Sequence, residues 1–556
     1  MNLQKYLIIV IGIFIFLIFS IHPLYCQTIQ QTITLEPGWN AVFLEIEPQN
    51  NTCTTIFSPY PVASVWTWNP KTSPVEYIQN PEELLPEHEQ WLTWYPPERP
   101  YAYKTNLFSL IGERAYLIQL DGQQEISITL EGRPCIPKID WKADSVNLVG
   151  FHVMPGQEPC FSDFFAPSDA HGNDNPQVYW LNDSGRWEQI TQLQTTRISH
   201  GTAYWIQCNG VSDYVGPIKV DIEQGNSLDY GQFLVEQNLH ITNEYNKNFD
   251  ITLEILDTTN NDGTNDIPFS RWIPLPLENA GWSAFTETLT QQYQNQETQT
   301  IRLAVRRAYL TTPGQYESIL RVSSNNGIQI FIPASLTHKA EKTGLWVGTA
   351  KINQVNNPMR FENPDDPATI TPVPTASELS FRIIIHVDAN GVVRLLKEII
   401  QMWDPGNDIR TAKFVLITNE SLISNYVGAA LRDGQPVGRR ISSAVFSFPE
   451  PLIMAGSFLS GNTISCDYEI SANDPLNPFK HQFHPDHQQG YDIKRIISME
   501  FTDYDPTNIN LSVAGWGDSD MGGIYKEEIH GLHKHTLYVE GNFRVHKISD
   551  IGELVQ

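Results

Sequence analysis

The chain runs to 556 residues and carries 63 acidic against 36 basic side chains, a formal net charge of -27 at pH 7. A surface that acidic repels nucleic acid and anionic lipid, and no basic tract offsets it. Single cores seldom grow beyond roughly 250–300 residues, so a chain this long is expected to fold as several domains.

The N-terminus, "MNLQKYLIIVIGIFIFLIFSIHPLYCQ", places Lys5 ahead of an apolar run from Leu7 to Ile21, then His22 and Pro23 as breakers. This reads as a secretory signal peptide over 1–26, cleaved near Cys26 or Gln27. The run is shorter than the roughly 20 residues a bilayer span needs, so no membrane span is expected after cleavage. A secreted or cell-surface location follows, with the periplasm as a third compartment. Such compartments permit disulfides. Pairing is open among Cys53, Cys135, Cys160 and Cys208, with Cys466 left free, and the absence of a C-x-x-C spacing argues against a zinc knuckle or redox motif.

Two consecutive modules, 27–136 and 137–224, are copies of each other. "GWNAVFLEIEPQNNTC" aligns with "VNLVGFHVMPGQEPC" so that Asn40 matches Asn147 and Cys53 matches Cys160. "VWTWN" from Val65 matches "VYWLN" from Val178, and "GERAYLIQLDG" matches "HGTAYWIQCNG", pairing Ala115 with Ala203 and Tyr116 with Tyr204. Val42, Leu44 and Ile46 alternate with polar residues, as do Ile126, Ile128 and Leu130, and Ile218, Val220 and Ile222, a period of two that predicts half-buried strands. The tryptophans of these modules read first as core packing.

From 225 to 340 the texture is alternating strands punctuated by Asn, Gly and Pro turns, the spacing of a β-sandwich. Ile241-Thr242-Asn243 and "PGQYESILRVSS" (Pro313 to Ser324) resemble bacterial immunoglobulin-like domains; the resemblance implies a sandwich and no catalysis. The last domain, 341–556, opens with "TGLWVGTAKINQV", passes a Pro-rich acidic loop, and resumes at "LSFRIIIHVDANGVV", where Asp388 to Gly391 predict a hairpin. Val392 to Trp403 fits either a strand or one face of a helix, and the β-rich surroundings favour the strand. The expected fold class is therefore all-β and multidomain: two duplicated small β modules, an Ig-like β-sandwich and a C-terminal β-rich domain. Taken together, Gly38-Trp39-Asn40, Gly344 to Gly348, His386-Val387-Asp388, His484 to His487 and Gly541-Asn542-Phe543 resemble large modular secreted or surface β-rich proteins of environmental bacteria. That resemblance implies an architecture only.

Two constellations invite chemistry. His484 and His487, in "NPFKHQFHPDHQQG", and His533 and His535, in "IHGLHKHTLYVEG", are candidate ligands for a zinc-like divalent ion, since imidazole nitrogens suit zinc. On a strand, His533 and His535 would point to one side. The string His533-x-His535-x4-Glu540 resembles half of the cupin metal motif, but Glu527 and Lys547 stand where its glycines belong. The competing reading makes all four histidines structural. The second constellation is "EHEQWLTWYPPERPYAYKTN", which reads as an insertion confined to the first repeat. Its Trp91, Trp94, Tyr95, Tyr101 and Tyr103, set among prolines, are candidate ligand-binding residues for a glycan or a protein partner. They also suit a loop folded back over its own module.

Other motifs fail on residue grounds. "GWGDSDMGG" puts Met521 where a nucleophile elbow needs glycine, and no phosphate loop or dinucleotide fingerprint occurs. "LDTTNNDGTND" puts Thr258 and Phe269 at positions where an EF-type loop needs ligands, so it reads as an acidic turn. The expectation is an exported, non-enzymatic protein for extracellular binding, adhesion or scaffolding, with no resident cofactor. The alternative is a metal-binding C-terminal domain with a structural or hydrolytic role.

Overall fold

The computed structural model describes residues 28–556 apart from 70–90, 257–265, 275–280, 287, 311, 340–341, 358–366, 407–410, 429, 434, 444, 447, 449, 476, 478–490, 508–512 and 534. The expected signal peptide 1–26, most of the acidic turn that begins at Leu256, and His484 and His487 lie outside the described residues. The protein is an all-β, multidomain chain.

Repeat one contributes β1 (Ile29–Leu35), β2 (Gly38–Leu44), β3 (Ile46–Pro48), β4 (Val62–Trp68), β5 (Trp91–Trp94), β6 (Arg114–Leu120) and β7 (Ile126–Pro134). They form a three-stranded sheet, β1-β7-β3, against a four-stranded one, β2-β6-β4-β5. The period-two pattern drives this: Ile33, Leu35, Val42, Leu44, Ile118, Leu120, Ile128 and Leu130 turn inward and meet Phe57 and Trp94 in one core.

Repeat two supplies β8 (Ser145–Val149), β9 (Val178–Leu181), β10 (Trp187–Gln189) and β11 (Tyr204–Cys208) in the order β8-β11-β9-β10, which is the order β2-β6-β4-β5 copied. The registers correspond. Asn40 faces Ile118 as Asn147 faces Ile206, and Val65 faces Ile118 as Val178 faces Ile206. Matched residues also do matched work. The Asn40 side chain accepts from the Glu36 N–H at 2.8 Å and the Asn147 side chain from the Lys142 N–H at 2.7 Å, each clamping the turn into its strand. The Tyr116 hydroxyl accepts from the Ile111 N–H at 2.8 Å, and the Tyr204 hydroxyl from the Ser199 N–H at 2.9 Å.

The same registers correct one sequence reading. Trp68 faces Trp91 in β4/β5, and its counterpart Leu181 faces Trp187 in β9/β10. Trp91 and Trp187 are therefore equivalent positions on equivalent strands, so β5 is not an insertion confined to repeat one. The differing connections before it, 69–90 against 182–186, hid the match.

A second difference concerns the boundary at 224. Ile218–Ile222, expected to close repeat two, pairs with Leu239 to Asn243 and is the edge strand of the sandwich. Two five-stranded sheets make that sandwich, and one buried cluster runs without a break from Val149 to Leu336. Repeat two thus lacks a second sheet of its own and uses the sandwich in its place.

In the C-terminal domain eight strands close a barrel: Gly344–Val355, Val373–Val387, Val393–Leu395, Leu452–Gly456, Thr463–Ile470, Ile493–Phe501, Asp520–His530 and Leu537–Ser549. The strand from Val373 begins inside the segment expected to be a loop; it continues the pairing with Gln354 and Val355 beyond a bulge. The Asp388 hairpin and the strand reading of 392–403 hold, with strands at Val393–Leu395 and Glu398–Asp404. Gly348 is required by close approach, because a Cβ there would sit 1.8 Å from the Arg544 carbonyl oxygen. Apolar side chains fill the barrel, among them Trp346, Ile383, Ile497 and Phe543, while Lys494–Asp467 and Lys526–Glu500 pairs stud its outside. That is the reverse of a lipid-facing barrel. Among the described residues no helix is long and apolar enough to cross a membrane. Between the third and fourth barrel strands a smaller sheet is inserted, built on Glu398–Asp404 and Lys413–Ile417 and joined by the terminal strand Leu554–Val555.

The pairing left open among the cysteines is not made. Cys53, Cys135, Cys160, Cys208 and Cys466 are all free thiols, and burial pushes Cys53 and Cys135 up to about 12, which makes them unreactive.

Candidate binding site

Alternation along β2, β6, β4 and β5 puts Trp39, Ala41, Phe43, Leu117, Gln119, Ser64, Trp66, Trp68, Trp91 and Thr93 on the sheet face opposite the core of repeat one. Half of that face is closed by repeat two. Trp205 packs edge-on against Trp68 and Trp91 at 5.5 and 6.2 Å, and against Trp187 at 6.1 Å. Main-chain bonds tie the halves: the Phe43 N–H donates to the Gly201 oxygen at 2.8 Å and the Ala203 N–H to the Ala41 oxygen at 3.1 Å.

Along the other half the rings make a row. Trp39 lies 6.4 Å from Trp66, Trp66 lies 6.1 Å from Tyr95, and Tyr95 lies 6.2 Å from Tyr101. The Trp66 indole N–H donates to Ser64 Oγ at 3.0 Å, which fixes the ring's orientation. The end of the row is held from its own loop, where the Thr93 N–H donates to Asn106 Oδ1 at 2.6 Å and the Tyr95 N–H to Thr105 Oγ1 at 3.1 Å. Tyr101 is 57% exposed and Tyr103 79%, with Lys104 Nζ 5.7 Å above the Tyr101 ring.

The five aromatics expected to bind a ligand therefore part company. Trp94 is a core residue, 2% exposed and packed on Phe57, so it meets no ligand. Trp91 is half-buried in the contact between repeats. Tyr95 is half-buried too, and Tyr101 and Tyr103 stay at the surface. Trp39 and Trp66, expected in the core, join them on the outer face. The phase of the alternation carried that signal, since Trp39 is out of step with Val42 and Leu44, and Trp66 with Val65.

Trp39 also lines a cleft of about 730 Å³ between the repeats. Thr32 and Thr34 of β1 form one side, and Trp180, Asn182 and His200 the other. A neighbouring groove of about 360 Å³ shares Trp180, Ser199 and Tyr204 with it and reaches Arg197. At one mouth Glu36 meets Glu125 and Asp183; its hydrogen bond with Glu125 and the charges of both neighbours raise the Glu36 carboxyl above the usual carboxylate range.

Beside the cleft lies a charge cluster shared by the repeats. His152 Nε2 is 2.6 Å from Glu113 Oε1, His152 Nδ1 is 3.9 Å from Glu45 Oε2, and His200 Nε2 is 3.3 Å from Glu45 Oε1. Burial alone would lower His152, but the carboxylates of Glu113 and Glu45 overcome it and hold the imidazole up at about 9. The hydrogen bond to Glu45 raises His200 as well.

The C-terminal histidines are placed differently from the sequence reading. His533 and His535 sit in the turn between the last two barrel strands, not on a strand, because pairing stops at Ile529/Leu537. Their ring centroids are 6.0 Å apart, and His533 Nδ1 accepts the His535 N–H at 3.2 Å. Among the described residues no group of three or more His, Cys, Asp or Glu side chains is arranged to hold a metal ion. His386, in the His-Val-Asp string, is a buried barrel residue bonded to the Ile551 oxygen at 2.9 Å.

No family model matches the chain, and no curated protein matches it. Among solved structures, the crystal structure of the Pseudomonas aeruginosa CupB2 chaperone aligns with 31% of this chain and 96% of that chain, at 11% identity and a TM-score of 0.15. A similarity at that score carries no argument about fold or function.

Proposed function

We propose that the protein is an exported, non-enzymatic binding protein whose first repeat holds a glycan chain, as part of adhesion or scaffolding outside the cell. The observation that carries this is the aromatic row Trp39, Trp66, Tyr95 and Tyr101, with ring centroids 6.1–6.4 Å apart, which runs from the sheet face into the loop after β5 and ends on the exposed Tyr101. Aromatic rings present a flat apolar face with polar groups at its margin, which matches the apolar faces and hydroxyl rims of sugar rings. Here Gln119 and the Tyr101 hydroxyl supply that polar margin, while the buried Ser64 hydroxyl is engaged by Trp66 and Gln119. Export rests on the apolar, Lys5-headed N-terminal segment.

A glycan array with the secreted chain tests the reading. Wild type is expected to capture a subset of polysaccharides, and Tyr101→Ala and Trp66→Ala to weaken capture by about tenfold. Equal capture by wild type and both variants would sink it, as would capture of no glycan at all.

A further inference from the structure

The row does not stop at the sheet edge. Its inner member, Trp39, is also a wall of the cleft between the repeats, and across that cleft stands Trp180, 38% exposed although it belongs to a paired strand. Trp180 lines both the 730 Å³ cleft and the 360 Å³ groove, as do Ser199 and Tyr204, so the two adjoin. Aromatic row, cleft and groove thus adjoin through Trp39 and Trp180 in one furrow across both repeats, with Thr32, Thr34, Asn182 and Ser199 among the groups that line it. Such a polar lining suits a chain of hydroxylated rings better than an apolar ligand.

The charges lining the furrow set a further condition. Glu36 and Asp183 line the cleft, and Glu125 stands close enough to Glu36 to act on its carboxyl; the cations along the furrow are already engaged, His200 with Glu45 at 3.3 Å and Arg197 with the Glu158 carbonyl oxygen, and the protein as a whole is strongly acidic. A polyanionic chain entering there would meet like charge at short range.

We propose that the cleft between the repeats is a second glycan subsite, continuous with the aromatic row, that takes a neutral polysaccharide and excludes uronic-acid chains. Trp180 is its stacking platform, and Glu36, Glu125 and Asp183 are the residues that exclude anions. This rests on the glycan reading of the row, and it assigns to repeat two a share of binding that the row alone does not require.

Calorimetric titration of the secreted chain separates the two claims. The probes are neutral β-1,4-linked hexasaccharides of glucose, xylose and mannose, and hexagalacturonate. Trp180→Ala, at an exposed position, is expected to weaken the best neutral ligand by about tenfold. Thr34→Arg, which plugs the cleft from an exposed strand position, is expected to do the same. Glu36→Gln combined with Asp183→Asn should raise hexagalacturonate affinity at least about threefold relative to that of the best neutral ligand. If Tyr101→Ala weakens binding while Trp180→Ala and Thr34→Arg bind like wild type, the cleft subsite is wrong and the aromatic row stands. Wild-type hexagalacturonate binding as tight as the neutral ligand's would overturn the charge rule. No binding of any saccharide by wild type would remove the row and the cleft together.

Discussion

Trp94 and Tyr101 sit seven residues apart in one aromatic-rich stretch, and folding gives them opposite tasks. Trp94 lies inward on β5 with its indole N–H 3.2 Å from Thr54 Oγ1, so Trp94→Ala opens a cavity and is expected to cost about 3–5 kcal/mol. Tyr101→Ala removes a ring that is mostly in water, and its melting temperature should match wild type. Thermal melts of the two variants check this; a Tyr101→Ala protein melting far below wild type would make that ring structural. At this scale the sequence was half legible. Composition marked the aromatic stretch, but telling a core ring from a surface ring needed the phase of β4 and β5. That phase is visible for Val65 and Trp66 and obscured for β5, whose Trp-Leu-Thr-Trp is apolar on both faces.

Elements meet across the repeats through the His152 cluster, and their union should respond to pH. Around His152 stand Glu113 just ahead of β6, Glu45 between β2 and β3, and His200 ahead of β11; the Lys138 N–H completes the set by donating to Glu113 at 3.2 Å. In the folded chain His152 holds its proton up to about 9, against about 6.5 for an unfolded histidine. Burial also raises Glu113 despite the pull of His152, so the pair binds more proton folded than unfolded. Stability from the His152 proton is therefore complete below about pH 6.5 and is lost as pH climbs through about 9, and Glu113 contributes a loss of the same sign that begins above the ordinary carboxylate range. Melting temperature should fall by a few degrees between pH 6.5 and 9.5 in wild type and fall less in His152→Gln; identical slopes would count against the cluster as the cause. Sequence alignment placed these residues in matching copies, but nothing in the sequence said that the copies would touch. The strand order, in contrast, was implicit in the repeat, since two copies of one pattern have to solve the same pairing problem.

At the scale of the whole molecule, the unbroken core from Val149 to Leu336 fixes where the chain can be cut. A fragment ending at 224 removes the partners of Val220 and Ile222 and leaves Phe151, Phe164 and Tyr204 without their covering layer. It is expected to aggregate, whereas one ending at 338 should give a cooperative melt; a soluble, cooperatively melting 28–224 fragment would refute the shared core. Domain class was legible from strand-length alternation. The barrel was not, because closure depends on which distant strands pair and the three-residue strand Val393–Leu395 that completes the circuit carries almost no signal. The contact between repeats has one more consequence, for molecules rather than for residues. Phe43 and Gly150 occupy the same position in the two copies and face each other, and a Cβ on Gly150 would lie 2.2 Å from the Phe43 ring. Glu45 and His152 are likewise one position in two copies, facing each other across 3.9 Å. Two first repeats from separate chains would set Phe against Phe and carboxylate against carboxylate; two second repeats would leave a hollow and pair imidazole with imidazole. Duplication creates surfaces that fit themselves and invite chains to polymerise, and these two substitutions turn that surface into a lock and key carried on one molecule.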